Sequence, residues 1–140
     1  MTYSERAARS NDFDFLFELK KAAEYEAVSR VFGWDESLQR HLHEVEWSQA
    51  KPTIIEIDGK RIGSYLLKPQ DGGYYFGRFF LLPDYQGKGI GSAVIKDCIG
   101  KAKSQPITLC YLVGNQVHSL YERHGFRVTH QDEHFVHMCN

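Results

Sequence analysis

One glycine-rich segment in the middle of the chain restricts the possible folds most strongly. An apolar run, Phe79 to Leu82, stops at Pro83, whose nitrogen cannot donate a hydrogen bond to a β-ladder. The segment Gln86-Gly87-Lys88-Gly89-Ile90-Gly91 follows. The apolar residues after it recur at helical spacing, at Ala93, Val94, Ile95, Cys98, Ile99 and Ala102. The sequence therefore predicts a strand, a glycine loop and a helix in direct succession.

A helix that begins directly after a glycine loop is suited to bind an anion. The N–H groups of its first turn have no partner within the helix, and the helix dipole favours negative charge beside them. Glycine allows phosphate oxygens to approach the backbone, because a side chain would hold them away. We therefore expect the segment from Gln86 to Ser92 to bind a pyrophosphate group.

Two common phosphate-binding loops do not match this segment. A P-loop ends in Gly-Lys-Ser/Thr, whereas Lys88 precedes two further glycines and no Lys-Ser/Thr pair follows it. A dinucleotide-binding loop reads Gly-x-Gly-x-x-Gly, but Ser92 occupies the place of the third glycine. Such a loop also needs an acidic residue on the next strand, and the apolar run at residues 107–113 carries none.

The segment instead resembles the Gln/Arg-x-x-Gly-x-Gly/Ala loop of the GNAT-type N-acetyltransferases, which holds the pyrophosphate of acetyl-CoA. A second segment, Asn115 to Phe126, reads NQVHSLYERHGF and is similar to the family's Asn…Leu-Tyr-Glu-(Arg/Lys)-x-Gly-Phe signature. Two signatures in the right order are more specific than either alone. The resemblance covers nearly the whole chain and is strongest from Phe79 to Phe126. It implies an acetyl-CoA-dependent N-acetyltransferase that transfers acetyl directly to a primary amine of a small molecule or protein.

The patterns along the chain predict the order β-α-α-β-β-β-α-β-α-β-β. We expect strands at residues 2–9, 53–57, 60–67, 74–82, 107–113, 126–130 and 133–138, and helices from residue 11 or 12 to about 31, from 35 to before 52, from 89 to about 103 and at 116–124. This order predicts a mixed α/β (α+β) fold in a single domain, residues 1–140. It resembles the GNAT fold, with a mostly antiparallel sheet and one splayed parallel strand pair.

Capping and turn residues set the expected boundaries. Asn11 or Asp12 can cap the first helix, and Asp35 the second. Asp58-Gly59 is a two-residue hairpin signal, residues 69–73 form a wider turn, and Gly125 marks a helix end. Within the second helix, one face is traced by Leu38, Leu42, Val45 and Gln49.

Transfer of an acetyl group to an amine needs a neutral amine, a stabilised oxyanion and a proton for the leaving thiolate. The resemblance implies that Tyr121 supplies the proton, and a phenol of pKa about 10 can protonate a thiolate whose conjugate acid has a pKa of about 8.5. It implies the backbone N–H of Leu82 as the oxyanion donor, and Asn115 as a contact near the pantetheine end of the carrier. The structural alternatives are that Tyr121 is a packed core aromatic and that Asn115 is a turn or helix-start residue.

The resemblance also implies that backbone groups before the loop pair with the pantetheine amides like an added strand. The expected acetyl-CoA contacts are Phe80, Leu81, Leu82, Gln86, Gly87, Lys88, Gly89, Ile90, Gly91, Ser92, Asn115 and Tyr121.

The general base is the point at which the sequence departs from the family pattern. Many members carry Glu on the strand before the loop, but residues 74–78, YYFGR, contain no carboxylate. Glu56 on the preceding hairpin and His118, one helical turn before Tyr121, are the two candidates. The missing carboxylate also leaves a second function open, that of a CoA-binding sensor or interaction module without turnover.

Composition argues against several other classes of protein. The formal net charge of −1 gives no overall electrostatic footprint for nucleic acid or an anionic membrane. No apolar run reaches the roughly 20 residues of a membrane span. Three widely spaced cysteines are typical of reduced thiols in a cytoplasmic protein. His130, His134 and His137 match no known ligand spacing, so no metal is expected. The expected partners are acetyl-CoA and an amine that the sequence does not identify, and a homodimer is left open.

Overall fold

A computed structural model describes residues 2–140. The strands are β1 (Ser4–Ala7), β2 (Thr53–Ile57), β3 (Lys60–Gln70), β4 (Gly73–Leu81), β5 (Ile107–Leu112), β6 (Arg127–Gln131) and β7 (Phe135–Cys139). The helices are α1 (Phe13–Val31), α2 (Glu36–Gln49), α3 (Ile90–Lys101) and α4 (His118–Arg123), with short 3₁₀ turns at Ser10–Asp12 and Pro83–Tyr85.

The sheet has the strand order β1-β2-β3-β4-β5-β7-β6. β1–β2, β2–β3, β5–β7 and β6–β7 are antiparallel, whereas β4 and β5 run parallel and pair at Tyr74–Ile107 and Tyr75–Thr108, near the start of both strands. A parallel pair needs a crossover connection, which the predicted helix after the glycine loop supplies as α3. The predicted mixed α/β fold with one parallel strand pair is therefore confirmed.

The described residues form two compact units, and β3 and β4 run through both. The first, called the N-terminal unit below, comprises residues 2–66 and 78–85. The second, the C-terminal unit, comprises residues 67–77 and 86–140.

In the N-terminal unit, α1 packs on the sheet through a small apolar cluster. Leu16, Leu19 and Ile54 are buried at its centre, and the side chains around them are Ala8, Phe15, Trp47, Phe80 and Leu82. The hairpin between β2 and β3 turns at Asp58-Gly59, both with positive φ, as the sequence predicted for a two-residue turn.

The apolar stripe on α2 does not face the core. Leu38, Leu42 and Val45 are exposed, whereas Gln39 and His43 are buried. The burial of His43 follows from its contacts with α1, because its Nε2 lies 2.8 Å from the carbonyl oxygen of Phe13 and its ring packs on that of Phe13. The predicted cap of this helix is confirmed, since the Asp35 carboxylate accepts a hydrogen bond from the N–H of Leu38 at 3.0 Å.

The expected cap of α1 by Asp12 is wrong. Asp12 occupies the position before the helix, but its fully buried carboxylate accepts no bond from the first turn of α1. It accepts instead from the N–H of Arg9 (2.8 Å), from both terminal nitrogens of Arg6 (2.7 and 3.0 Å) and from Arg61 on β3 (3.1 Å). A second carboxylate, Glu56, accepts from Nε of Arg6 at 3.1 Å.

This charge cluster connects β1, β3 and the start of α1 through one buried carboxylate. The hydrogen bonds from Arg6 lower the pKa of Asp12 far below its ordinary value, the N–H of Arg9 and the guanidinium of Arg61 lower it further, and burial opposes them. A buried charge is stable only when its partners satisfy it. The folded state therefore depends on Asp12 being ionised.

In the C-terminal unit, the buried face of α3 carries Ile90, Val94, Ile95 and Cys98. The β6–β7 hairpin follows α4, and the ring of His130 stacks on that of His137 at 4.1 Å between centroids. The predicted turn at residues 69–73 is narrower than expected, because β3 continues to Gln70 and β4 begins at Gly73. None of the helices within residues 2–140 combines the length and apolar character needed to cross a bilayer.

We predict that Asp12→Asn lowers the free energy of unfolding by about 3 kcal/mol at about pH 7, because two guanidinium groups lose their buried counter-charge. The pKa of Asp12 is lowered in the folded state, so its contribution is complete above the ordinary value of 3.8 and declines as the pH falls below it. The difference between the two proteins should therefore shrink towards about pH 3. Urea unfolding across this pH range measures it.

The matched control is Asp14→Asn, which removes an exposed carboxylate from the first turn of α1. It should change the free energy of unfolding by less than about 1 kcal/mol. Equal effects of the two substitutions would contradict the role given to Asp12.

Candidate active site

The backbone of the glycine loop is open to approach at two of its glycines. Gly87 and Gly89 have φ of 71° and 83°, and a Cβ added at either would meet no atom within 4 Å. Gly89 caps α3, and the first helical bond runs from the N–H of Ala93 to the Gly89 carbonyl at 3.1 Å. The N–H groups of Ile90, Gly91 and Ser92 therefore have no helical partner four residues earlier. The residues present fit a pyrophosphate group at this position.

A histidine that the sequence did not single out lies at the same helix start. Nε2 of His124 lies 3.0 Å from Oγ of Ser92, the last residue of the glycine loop. Burial lowers the pKa of His124, and the positive charges of Lys96 and Arg123 lower it further. The imidazole is thereby favoured in its neutral form, in which it can either donate to or accept from the serine hydroxyl.

The position of Tyr121 is set by how α4 ends. Gly125 adopts φ of 91° and donates to the Glu122 carbonyl at 3.1 Å, and Phe126 donates to the Tyr121 carbonyl at 3.2 Å. These two bonds form the Schellman cap that a glycine after a helix makes possible. The apolar contact that accompanies such a cap is present, since the ring centroids of Phe126 and Tyr121 lie 5.9 Å apart. The cap thus explains the Gly-Phe pair of the second signature, because Gly125 adopts the left-handed φ and Phe126 makes the apolar contact.

Aromatic rings surround the Tyr121 side chain, which is 7% exposed. Phe76 on β4 meets it edge-on at 6.4 Å between centroids, and Tyr111 on β5 stacks on it at 6.0 Å with an angle of 29° between the rings. The ring is packed as a core aromatic would be, so its orientation is fixed. The same packing would hold a phenolic hydroxyl in one place.

The other predicted residues have defined contacts. His118 begins α4, with Nδ1 at 2.5 Å from the Tyr111 hydroxyl and Nε2 at 3.3 Å from Glu122. Asn115 lies in the turn before α4, where its N–H donates to the Leu112 carbonyl at 3.0 Å. Glu56, in the N-terminal unit, is paired with Arg6 at 3.1 Å. Glu56 and His118 both stay predicted candidates for the general base.

The backbone groups of Leu82, the predicted oxyanion donor, have defined hydrogen-bond partners. Its N–H donates to the Ile62 carbonyl at 2.8 Å, and its own carbonyl accepts from the N–H of Tyr85 at 2.8 Å. Both backbone groups therefore already have partners within the N-terminal unit. Alternation along an extended chain places the N–H of Leu81 on the opposite edge. The backbone of Phe80 and Leu81 stays a predicted contact for pantetheine.

Residues 74–78 of β4 contain no carboxylate, but the carboxylate of Glu46 on α2 contacts this segment at Arg78. Arg78 has φ of 46°, and its Nη1 donates to the Ala50 carbonyl at the end of α2 at 2.7 Å. Glu46 on α2 pairs with Nε of Arg78 at 3.2 Å and with Lys20 at 3.2 Å. A pocket beside this cluster is lined by Lys20, Glu46 and Arg78 together with apolar side chains.

The cysteines and histidines form no metal centre in the part of the chain that the structure describes. Residues 2–140 contain no group of three or more His, Cys, Asp or Glu side chains able to hold a metal ion. His137 pairs instead with Asp132 at 3.1 Å. Cys98 is buried on α3, while Cys110 and Cys139 are partly buried.

The comparison with known families agrees with these features. The sequence model of the acetyltransferase (GNAT) domain matches residues 48–128, which include the glycine loop, Tyr121 and the α4 cap. The chain belongs to the GNAT family, and by family it is an acetyltransferase. No curated protein matches the sequence.

Solved structures with low sequence identity share the fold. The PaiA N-acetyltransferase from Thermoplasma acidophilum, in complex with coenzyme A, is 21% identical, with a TM-score of 0.77 and coverage of 100% of this chain and 99% of that one. The ribosomal-protein-S18-alanine N-acetyltransferase from Escherichia coli is 15% identical, with a TM-score of 0.74 and coverage of 99% and 92%. A GNAT acetyltransferase from Brucella melitensis, in complex with acetyl-CoA, is 20% identical, with a TM-score of 0.66 and coverage of 99% and 87%.

We predict that Gly63→Ala disturbs β4 through a backbone clash. An added Cβ would lie 2.5 Å from the Phe80 carbonyl oxygen and 2.7 Å from Cδ2 of Leu81. The substitution should lower the free energy of unfolding by about 1–3 kcal/mol, as overpacking usually does. Denaturant unfolding measures the change.

The control is Gly100→Ala in α3, where a Cβ meets nothing within 4 Å. It should raise the free energy of unfolding by about 0.5–1 kcal/mol, because alanine favours a helix. A destabilising effect of the same size at both sites would show that the contact with β4 is not the cause.

Proposed function

We propose that this protein is an acetyl-CoA-dependent N-acetyltransferase that transfers acetyl directly to a primary amine of a small molecule or protein. Membership of the GNAT family supports acetyl transfer. The relatives in complex with coenzyme A and acetyl-CoA support this carrier, and two relatives named as N-acetyltransferases support a nitrogen acceptor. The observation that carries the proposal is the fixed, buried phenol of Tyr121 in the same unit as the glycine loop.

The glycine loop holds the carrier in this proposal. The N–H groups of Ile90, Gly91 and Ser92 donate to the pyrophosphate, and the absence of side chains at Gly87 and Gly89 lets the phosphates approach. The neutral form of His124 orients the Ser92 hydroxyl. Acetyl-CoA, when bound, supplies the acetyl group as a reactive thioester.

Tyr121 acts as the general acid in this proposal. Its hydroxyl holds the proton that the leaving thiolate requires, and the transfer from a phenol of pKa about 10 to a thiolate of pKa about 8.5 is only slightly uphill. The three rings around Tyr121 keep the hydroxyl in one orientation and exclude bulk water from the ring. Such positioning gives one acid catalyst its usual effect of about 10²–10⁴-fold.

We predict that Gly89→Val weakens coenzyme A binding at least about tenfold, which is about 1.4 kcal/mol. The valine side chain would occupy the space that the pyrophosphate needs, and isothermal calorimetry measures the dissociation constant. The matched control is Gly72→Val in the β3–β4 turn, which also has positive φ and open surroundings. Both variants should lose similar stability, by about 1–2 kcal/mol, because each forces valine into a left-handed conformation. Equal affinity in the two folded variants would place the pyrophosphate elsewhere.

We predict that Tyr121→Phe lowers kcat by about 10²–10⁴-fold while binding of coenzyme A stays unchanged. The substitution removes the hydroxyl and keeps the ring packing, so stability should change by about 1 kcal/mol or less. The assay follows thiol release from acetyl-CoA over a panel of primary amines, with hydrolysis without amine as the background.

Tyr25→Phe is the control, since Tyr25 is exposed and its ring packs on Trp34. Its kcat should equal that of the wild type. An unchanged kcat in Tyr121→Phe would exclude Tyr121 as the acid. Tight coenzyme A binding without turnover on any amine would contradict the proposed function itself.

A further inference from the structure

The N-terminal unit contains a pocket to which the proposed function assigns no role. Its lining residues all belong to that unit, and three of them are charged: Lys20 on α1, Glu46 on α2 and Arg78 on β4. Their side chains are 16%, 31% and 20% exposed, so the charges are partly shielded from water but can be reached from it. Three separate elements thus bring charged groups into one pocket.

The pocket carries an excess of positive charge. Oε1 of Glu46 lies 3.2 Å from Nζ of Lys20, and Oε2 lies 3.2 Å from Nε of Arg78, so two cations share one carboxylate. Glu24, one helical turn after Lys20, interacts with the charges of both Lys20 and Glu46. Burial raises the pKa of Glu24, which favours its neutral form. An oxyanion would therefore complete the charge balance, whereas a further cation would meet two positive charges.

Both cations keep hydrogen-bond donors for a further acceptor. A guanidinium group has five N–H groups, and those of Arg78 pair with Glu46 through Nε and with the Ala50 carbonyl through Nη1, at 2.7 Å. In the part of the chain that the structure describes, Nη2 of Arg78 has no hydrogen-bond partner. Nζ of Lys20 carries three N–H groups and contacts only Glu46 among those residues. An incoming oxyanion can thus accept from both side chains without displacing Glu46.

The backbone of β4 holds Arg78 in an uncommon conformation. Its φ of 46° lies in the left-handed region, which residues with a Cβ rarely adopt. Ser64 on β3 donates from Oγ to the Arg78 carbonyl at 3.2 Å, and the bond to Ala50 fixes the guanidinium. Strain of this kind persists where the surroundings enforce it, and it is frequent at ligand sites. The conformation therefore favours a binding role for the Arg78 side chain.

Four further lining residues are apolar and suit the carbon chain of a small ligand. They are Leu16, Trp47, Pro52 and Phe80. Phe80 lies on β4, and its backbone is a predicted contact of pantetheine. A ligand in this pocket would therefore lie beside the predicted path of the carrier, where an acceptor is needed.

We propose that this pocket binds a carboxylate group of the acceptor, and that the acceptor is a small primary amine that also carries a carboxylate. Lys20 and Arg78 donate to the carboxylate, and Glu46 is a positioning residue that holds the two cations. The amine end of the ligand lies outside the pocket, away from the two positive charges. The identity of the ligand as the acceptor rests on the proposed function, whereas binding of a carboxylate by the pocket does not.

The turnover test compares acceptors that differ only in the carboxylate. Glycine, β-alanine, aminobutyrate and aminohexanoate are each compared with their primary amide, because this series varies the distance between amine and carboxylate. For at least one pair, kcat/KM should be higher for the carboxylate by about tenfold or more, since the amide loses the charge-assisted bonds. In Lys20→Met the ratio should fall by about tenfold through KM, because methionine keeps an apolar side chain without the charge.

The matched control is Lys21→Met, which removes the neighbouring charge on α1. Nζ of Lys21 pairs with Glu36 at 3.0 Å, and neither residue lines the pocket. The ratio should therefore equal that of the wild type. Arg78→Lys is the second test variant: it keeps the charge but not the planar group of N–H donors, and it should keep only part of the ratio.

A second measurement needs no turnover. The chain has two tryptophans, and Trp47 lines the pocket, whereas Nε1 of Trp34 donates to Glu36 outside it. In nitrogen-edited NMR spectra, the indole N–H signal of Trp47 should shift when the amino acids are added and not when their amides are added. The signal of Trp34 should stay in place. The shift of Trp47 should vanish in Lys20→Met and persist in Lys21→Met, and acetate is the probe for a free anion.

The outcomes separate this site from the proposed function. An active enzyme without any preference for carboxylates, or an equal Trp47 shift with acids and amides, would overturn the site and leave the proposed function intact. A Trp47 shift as strong with acetate as with the amino acids, without a preference in turnover, would assign the pocket to free anions and overturn the acceptor role. A wild-type protein without turnover on any amine would overturn the proposed function and the acceptor role together. A preference and a Trp47 shift that Lys20→Met loses and Lys21→Met keeps support the proposal.

Discussion

The packing of aromatic rings around Tyr121 is the constraint on which the site depends. Phe76 comes from β4, Tyr111 from β5 and Phe126 from the chain just after α4, so three separate segments determine where one phenol points. Each ring pair adds about 0.5–1.5 kcal/mol beyond its buried area. The orientation of Tyr121 is therefore a property of the folded C-terminal unit, and the six residues of α4 alone would not fix it.

Local chemistry made much of the fold predictable from sequence. Asp35 caps α2, Asp58-Gly59 turns the β2–β3 hairpin and Gly125 ends α4, because each effect needs only residues within one turn of the chain. The glycine loop was predictable for the same reason, since Gly89 has positive φ and caps α3. The family resemblance rested on these same local signals, and the family is confirmed over residues 48–128.

The errors concern partners that are distant in the sequence. Asp12 looked like a helix cap, but its carboxylate accepts charge-assisted bonds from Arg6, at 2.7 and 3.0 Å, and from Arg61, 49 residues away, at 3.1 Å. The oxyanion role of Leu82 stays a prediction, and it also involves a distant partner, because its N–H donates to the Ile62 carbonyl on β3. Tyr111 was not singled out from the sequence, because its hydroxyl contact with His118 and its stacking on Tyr121 arise only in the fold. The contact between His118 and Glu122 was predictable from their four-residue spacing on a helix. Whether the predicted site residues bind the carrier stays a prediction.

The shortness of α4 has a further consequence. An isolated helix of fewer than about 12 residues is marginal in water, so α4 persists through its glycine cap and the rings that hold Tyr121. Helix α3, with twelve residues and a buried apolar face, is better anchored. The proposed proton donor thus lies on a short element whose local opening costs little free energy, while the predicted carrier loop begins an element whose opening costs more. Under the proposed function, warming would suppress turnover before it suppresses retention of the carrier, and the two activities would have separate thermal limits within one chain.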